Sequence, residues 1–350
     1  MINDVAVLNF VGDVALFNRF EIERYDPLEN LNLPNSDFNV ANFEFPLQEN
    51  RKAKFFDVLS DYNVSVEYAK SLKIDRFDLY GLANNHISDY GEGGINDTVK
   101  ILNSFGSATF GVSSNEGYDV YRKNIEGINF SFIAAVKSGR WESAGLGPNI
   151  IDKNKLQLLV AEEKRTVDHV ILFFHWGTEL VDAPDPSDVT VAHDLIDAGA
   201  SCVIGHHPHV SQGVEEYSGG VIAYSLGSNI YLSECEKGNV DSNPIRDTSI
   251  CLNICFSKEK VVLSTAYKYK RKACVSELVP TNMGEFSEDV YFSKLNNVIG
   301  DKRYYSSMIR KVLIRREVAY FFDRFKKAPL ATITHYASYL KLAHLKKIFG

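Results

Sequence analysis

Five times along this chain a short apolar run, rich in β-branched and aromatic residues, leads into a cluster of Asp, Glu, Asn or His. Val5 to Val11 ends at Gly12-Asp13, and Phe38 to Leu47 carries Asn42 and Glu44. Phe77 to Ala83 runs into Asn84-Asn85-His86 with Asp89 close behind. Asp168 to Phe174 ends at His175-Trp176, followed by Glu179. Cys202 to Ile204 stops at Gly205, and His206, His207 and His209 come next, so three of the nine histidines fall within four residues. Runs of this length and composition predict buried strands. Helical spacing between them predicts helices near Val64 to Leu72, Gly94 to Phe105, Asn154 to Lys164 and Pro186 to Ala198. Strands and helices in this order give a layered α/β domain. Strand ends on one edge of such a fold converge on one crevice, so the five clusters are expected together.

Each cluster has an ordinary reading beside the chemical one. Asp13 is a ligand candidate or an Asx turn after a strand. Asn42 and Glu44, two apart, share a face of an extended chain, which points them into one site or out from an edge strand. An Asn oxygen ligates hard metals well, and a neighbouring His donates protons if a carboxylate holds its tautomer; otherwise Asn84 to Asp89 is a polar turn. The His-x-His pair after Gly205 aims two imidazoles at one small volume, or it is a His-rich surface turn. Asp, Glu, Asn and His donors without a thiolate suit a pair of hard or first-row divalent ions (Mn, Zn, Fe or Mg) better than a structural zinc.

Composition removes several alternatives. The five cysteines are odd in number and include no CxxC pair, so neither a disulfide framework nor a thiolate zinc site is expected. No apolar run reaches the roughly 18 residues of a membrane span, and no basic segment opens the chain, so the expected location is the cytoplasm, with a peripheral place at the inner face of the membrane as the variant. GxGxxG and Walker-type loops are absent. Residues 301–350 carry +9 and residues 1–300 carry −16 within a net charge of −7. An acidic body binds polyanions poorly without cations to screen it, and nucleic acid is not an expected partner.

GDVAL (12–16), ANFEFPL (41–47), LANNHISDYGEGGINDTV (82–99), HWGTEL (175–180), GASCVIGHHPHVSQGVEEY (199–217) and IAYSLGSNIY (222–231), in this order, resemble the blocks of the CapA family of poly-γ-glutamate capsule biosynthesis proteins. That family is similar in fold to calcineurin-like metallophosphoesterases. The resemblance implies a four-layer α/β/β/α sandwich with two metals between loops at strand ends. It implies Asp13 on one metal, Glu44 as the bridging carboxylate, Asn85 and His175 on the second metal, and His207 and His209 as the His-x-His pair, with His206 as the alternative to His207. His86 matches the histidine that protonates the leaving group, with Asp89 as its candidate orienter. Asn42, Asn84, His206, Trp176 and Glu179 are expected on the substrate side, together with Lys137 and Arg140. Three departures stand out: Ala15 occupies the place of a ligating histidine two residues after Asp13, Ile87 stands where an acid would follow His86, and YSLGS with Ser228-Asn229 replaces the usual YSLGN-Phe in a loop expected to line the pocket. The implied activity is a metal-dependent phosphoesterase acting on an anionic polymer, or on a phosphorylated small-molecule or lipid-linked precursor, in capsule synthesis. The alternative is a metal-containing accessory factor that binds without turnover.

The resemblance stops before the basic tail. Residues 1–300 are expected as the catalytic domain and 301–350 as a helical extension: Tyr304 to Lys327, then Leu330 to Phe349. The tail either packs on the acidic body or docks on an anionic membrane surface or a membrane-bound partner.

Overall fold

The computed structural model describes residues 5–22, 24–29, 31–47, 64–72, 74–114, 117–137, 145–230, 248–272, 275–279 and 290–327. Arg140, Cys235, Cys274 and the expected helix over residues 330–349 lie outside them. The chain divides into two compact units, Met1–Lys302 and Arg303–Gly350.

Strands and helices are numbered in chain order. The first sheet has eight strands. Its path runs β16 (Val275–Val279), β15 (Val261–Lys272), β14 (Thr248–Ser257), β1 (Val5–Val14), β2 (Phe38–Phe43), β3 (Leu79–Gly81) and β4 (Ala108–Phe110), and β13 (Ser228–Ile230) joins the end of β1 where β14 leaves off. The second has six, in the order β11 (Val214–Tyr217), β12 (Gly220–Ala223), β10 (Cys202–His206), β9 (His169–His175), β7 (Ile128–Val136), β6 (Val120–Ile125). A small ribbon pairs β5 (Val112–Ser113) with β8 (Gly147–Pro148). The helices are α1 (Asn18–Ile22), α2 (Val66–Ser71), α3 (Gly91–Ser104), α4 (Lys153–Glu163), α5 (Pro186–Asp197), α6 (Val290–Asn296) and α7 (Lys302–Lys327).

Three apolar layers account for the order of the elements. Alternate residues of β1, β2 and β14 (Leu8, Phe10, Val40, Leu252, Ile254) meet those of β7, β9 and β10 (Phe130, Phe132, Ile171, Phe173, Ile204) between the sheets. The outer face of the first sheet, with Val11, Ala41, Phe43 and Tyr80, packs on Val66 and Ala69 of α2 and Ile95 and Leu102 of α3. The outer face of the second sheet, with Ile133, Val170, Leu172 and Val203, packs on Leu156 and Val160 of α4 and Ala192 and Leu195 of α5. This is the expected four-layer α/β/β/α sandwich. The central strands are apolar on both faces because both are covered, which is why they read as continuous runs rather than alternating ones.

Helix starts follow local chemistry. Asp152 caps α4, accepting from the backbone of Asn154 and Lys155 at 3.1 Å, and Asp185 followed by Pro186 caps α5. Helix α3 begins at Gly91, three residues before the expected start, because three glycines within its first turn conceal the helical signal.

The strand ends are placed by one irregularity above all. Val11 and Val14 both lie in the outer layer, three residues apart, which strict alternation forbids. The register against β2 shifts between Val11 and Asp13, so Gly12 is a bulge that turns the Asp13 carboxylate to the inner edge. Gly12 donates to Asn229 Oδ1 at 2.9 Å, and a Cβ there would lie 2.1 Å from the Gly227 carbonyl oxygen. Gly12→Ala is therefore expected to lower stability by about 2 kcal/mol or more, a shift of several degrees in thermal denaturation, while Gly117→Ala, with open space around its Cβ, leaves the midpoint unchanged. Equal midpoints for the two variants would contradict the close-approach argument.

Candidate metal centre

The parallel strands of both sheets end on the same edge, and their last residues build one site. Asp13 closes β1, Glu44 follows β2, Asn84 to Asp89 follow β3, His175 ends β9, and His206 to His209 leave β10. Phe38, Val40, Asn42 and Glu44 alternate along β2 away from the outer-layer Ala41 and Phe43, so the period-two expectation for Asn42 and Glu44 describes their arrangement.

Asp13 is fully buried and well supported. Its Oδ1 accepts from Asn42 Nδ2 at 2.9 Å, and its Oδ2 lies 3.0 Å from both Ser228 Oγ and His209 Nδ1. Burial alone would raise its pKa, but the hydrogen bonds and charges of His206 and His209 hold it well below the usual carboxylate range. Glu44 is equally buried and has none of this support. Neither of its oxygens has a hydrogen-bond partner among the described residues, while Oε1 sits 3.4 Å from His209 Nε2 and 3.9 Å from His175 Nε2. Burial, reinforced by the charges of Asp13, Glu179 and Asp89, pushes its pKa well up. Donor atoms of Asp13, Glu44 and His209 all lie within 4.8 Å of one another.

A second group converges on the other side of Glu44. His175 Nε2 is 2.7 Å from Asn85 Oδ1 and 3.1 Å from His207 Nδ1. Burial lowers the pKa of both imidazoles, helped by their own mutual repulsion at His175 and by His209 at His207, where the value falls to about 4. Both rings are thus neutral near pH 7, the form that offers a lone pair. His207 and His209 both carry positive φ, 95° and 57°, a backbone strain of roughly 1–3 kcal/mol each that persists where surrounding structure enforces it.

His86 stands at the half-buried rim. Its Nδ1 is 2.8 Å from Asp89 Oδ2, and its ring meets Phe45 edge-on with centroids 4.8 Å apart. Asp89 thus contacts the ring from three residues on, the position adjacent to His86 being filled by the buried Ile87. Asn85, His207 and Glu179 are half-buried at the same rim, and Asp13, Glu44, His175 and His209 form the buried floor.

Several expected substrate-side residues have other work. Asn84 is buried and its amide is spent on the loop: Nδ2 donates to the Phe43 carbonyl at 2.8 Å, and Oδ1 accepts from the backbone of His86 and Ile87. Trp176 is buried in the outer layer, its Nε1 donating to the Tyr224 carbonyl at 2.9 Å, beside a Gly205 whose lack of a side chain makes room for it. Asn42 faces Asp13 as its hydrogen-bond donor. His206 is buried beside Asp13, its ring tilted at 39° to that of Phe173 with centroids 4.2 Å apart and its Nδ1 3.3 Å from Asp13 Oδ1; its neighbour His207 is the ring that meets His175. Lys137 is paired with Asp188 and Asp185 at the start of α5. Ser228, singled out in the sequence as a departure in the YSLGS loop but given no role there, contacts both Asp13 and His209 at 3.0 Å.

The donor set fits divalent cations: a carboxylate with two orphaned buried oxygens stands between an Asp–His pair and an Asn–His–His group, with oxygen and imidazole donors throughout.

Fold and site together define a layered α/β protein with a buried carboxylate–imidazole–amide centre at converging strand ends. The chain belongs to the bacterial capsule synthesis protein PGA_cap family, whose sequence profile matches residues 7–231. It is 28% identical over 249 residues to the capsule biosynthesis protein CapA of Bacillus anthracis, covering 65% of this chain and 60% of that protein. It is likewise 28% identical over 251 residues to the PGA biosynthesis protein CapA of Bacillus subtilis (strain 168), covering 65% of this chain and 64% of that one. The chain thus matches less than two thirds of the length of either relative. Among solved structures, a phosphatase of Mycoplasma pneumoniae aligns at TM-score 0.47 and 12% identity, covering 80% of this chain and 96% of that one.

A pH dependence follows from Glu44. Its carboxyl holds a proton in the fold well above the ordinary value of 4.5, where the unfolded chain has released it. The unfolded state then binds fewer protons, so stability falls as pH rises above that value. In chelator-treated protein, wild type is expected to lose more of its melting temperature between about pH 5 and pH 8 than Glu44→Gln does. Parallel pH profiles for the two would contradict this placement of the buried charge.

Proposed function

We propose that the chain is a hydrolase using two divalent cations, of phosphoesterase type, acting on an anionic cell-surface polymer or its phosphorylated precursor during capsule or poly-glutamate synthesis. The observation that carries the reading is Glu44, a buried carboxylate without a hydrogen bond between two groups of ligand atoms. Asp13 and His209 would hold one cation, Asn85, His175 and His207 the other, with Glu44 shared. Cations held there would supply the Lewis acidity that activates water near neutral pH and neutralises phosphate oxygens. Asn42 and Ser228 fix the Asp13 carboxylate, and burial keeps the rings of His175 and His207 neutral, the form that can ligate. Asp89 accepts a hydrogen bond from His86 Nδ1–H, and the doubly protonated ring would deliver its Nε2 proton to the departing alkoxide, leaving the neutral Nδ1–H ring held by Asp89. The polymer context rests on the family and on the names of its relatives.

Ala15, in the place of a ligating histidine, favours a second reading, in which the site binds an anionic polymer through metal without turnover. Elemental analysis with aryl phosphomonoester and phosphodiester assays separates the two. His86→Gln is expected to lower turnover roughly 10²–10⁴-fold with metal content intact, whereas Glu44→Ala and His209→Ala lower both. Metal retained without turnover of either ester supports the binding role. Less than about a tenth of an equivalent of metal, with no thermal shift in Mn²⁺, Zn²⁺ or Mg²⁺, overturns both readings.

A further inference from the structure

Helix α7 carries an apolar stripe that faces water. Leu313, Ile314 and Val318 are 53%, 63% and 49% exposed, while Val312, about 160° around the helix from Ile314, is buried. Ile314 and Val318 are four residues apart on one face, and the sequence continues the spacing at Phe321 and Phe325. At 100° per residue, Lys311 borders the Ile314–Val318 face on one side and Arg310 borders it on the other, between Ile314 and Leu313; both are exposed, as is Arg315. Across Lys302–Lys327 nine basic residues stand against two acidic ones. No helix among the described residues is long and apolar enough to cross a membrane.

We propose that α7 docks in the plane of an anionic lipid surface, burying Leu313, Ile314 and Val318 at the acyl boundary with Arg310, Lys311 and Arg315 on the headgroups. The two halves of the face select this occupant. Exposed basic residues on either side of the Ile314–Val318 face complement an anionic surface, and a soluble polyanion would satisfy them equally well. Unlike a soluble polyanion, a lipid surface also offers an apolar phase to side chains that are about half or more in water, beside the charges that draw them. The electrostatic part acts within a Debye length, about 8 Å at physiological salt, so binding is salt-sensitive, and the apolar part is what remains. The proposal does not depend on the metal centre, and its failure would leave the hydrolase reading standing.

Co-sedimentation of the full chain with vesicles tests it. Vesicles of mixed phosphatidylglycerol and phosphatidylcholine at low ionic strength are expected to bind the protein at least about tenfold more tightly than pure phosphatidylcholine, with most of the difference lost near 0.5 M salt. Ile314→Ser/Val318→Ser is expected to weaken binding about tenfold with an unchanged melting temperature, since both side chains are exposed. Arg310→Ser/Lys311→Ser should weaken binding to the anionic vesicles alone. Absence of vesicle binding at low salt, or equal binding by wild type and Ile314→Ser/Val318→Ser, overturns the proposal. So does capture of soluble poly-glutamate in place of vesicles, or a dimer in solution that the apolar double variant dissolves.

Discussion

Two carboxylates, Asp13 and Glu44, are fully buried in one site with oxygens no more than 4.8 Å apart. At an effective dielectric of about 20, two unit charges at that separation repel by roughly 3 kcal/mol, before the cost of desolvating each. The protein meets this cost at Asp13, where Asn42, Ser228 and His209 converge on one carboxylate. It leaves the cost unmet at Glu44. A buried anion without donors is unfavourable in a finished core and suitable for a cation, and the imidazoles of His175 and His207, kept neutral by burial, are lone-pair donors rather than counter-charges. This imbalance between two neighbouring carboxylates makes the cluster a candidate metal centre rather than a salt-bridge network.

The sandwich exists to hold that arrangement still. Parallel strands from two sheets bring their ends to one edge, the bulge at Gly12 re-aims Asp13 inward, and β13 brings Ser228 beside it. His207 and His209 sit in left-handed backbone conformations that a relaxed loop would abandon. Depth sorts the chemistry. Asp13, Glu44, His175 and His209 lie on a dry floor supported by Asn42 and Ser228, while the ligand candidates Asn85 and His207, with His86 and Glu179, meet solvent at the rim.

Much of this was legible in the sequence because the physics was local or periodic. Apolar runs ending in polar clusters located the strand ends, and the spacing of Asn42 and Glu44 put them on one face. What escaped depended on contacts distant in sequence. Asn84 and Trp176 resemble site residues by position, yet each is committed to a backbone carbonyl, Phe43 and Tyr224, that no local pattern identifies. The doubled histidine left the choice between His206 and His207 open; the structure sets the first beside Phe173 and Asp13 and turns the second, through a positive φ, toward His175. The hairpin of β11 and β12 hid inside the polar stretch Glu215 to Gly220 because its turn, Ser218-Gly219, reads as loop chemistry.

The central claim is that Glu44 is shared between two cations. Anomalous diffraction from crystals soaked in Mn²⁺ tests it most directly. The account predicts two peaks, both within about 2.5 Å of Glu44 oxygens, one also in reach of Asp13 and His209 and the other of Asn85, His175 and His207. No peak at Glu44, with Mn²⁺ bound only at surface carboxylates, would contradict it.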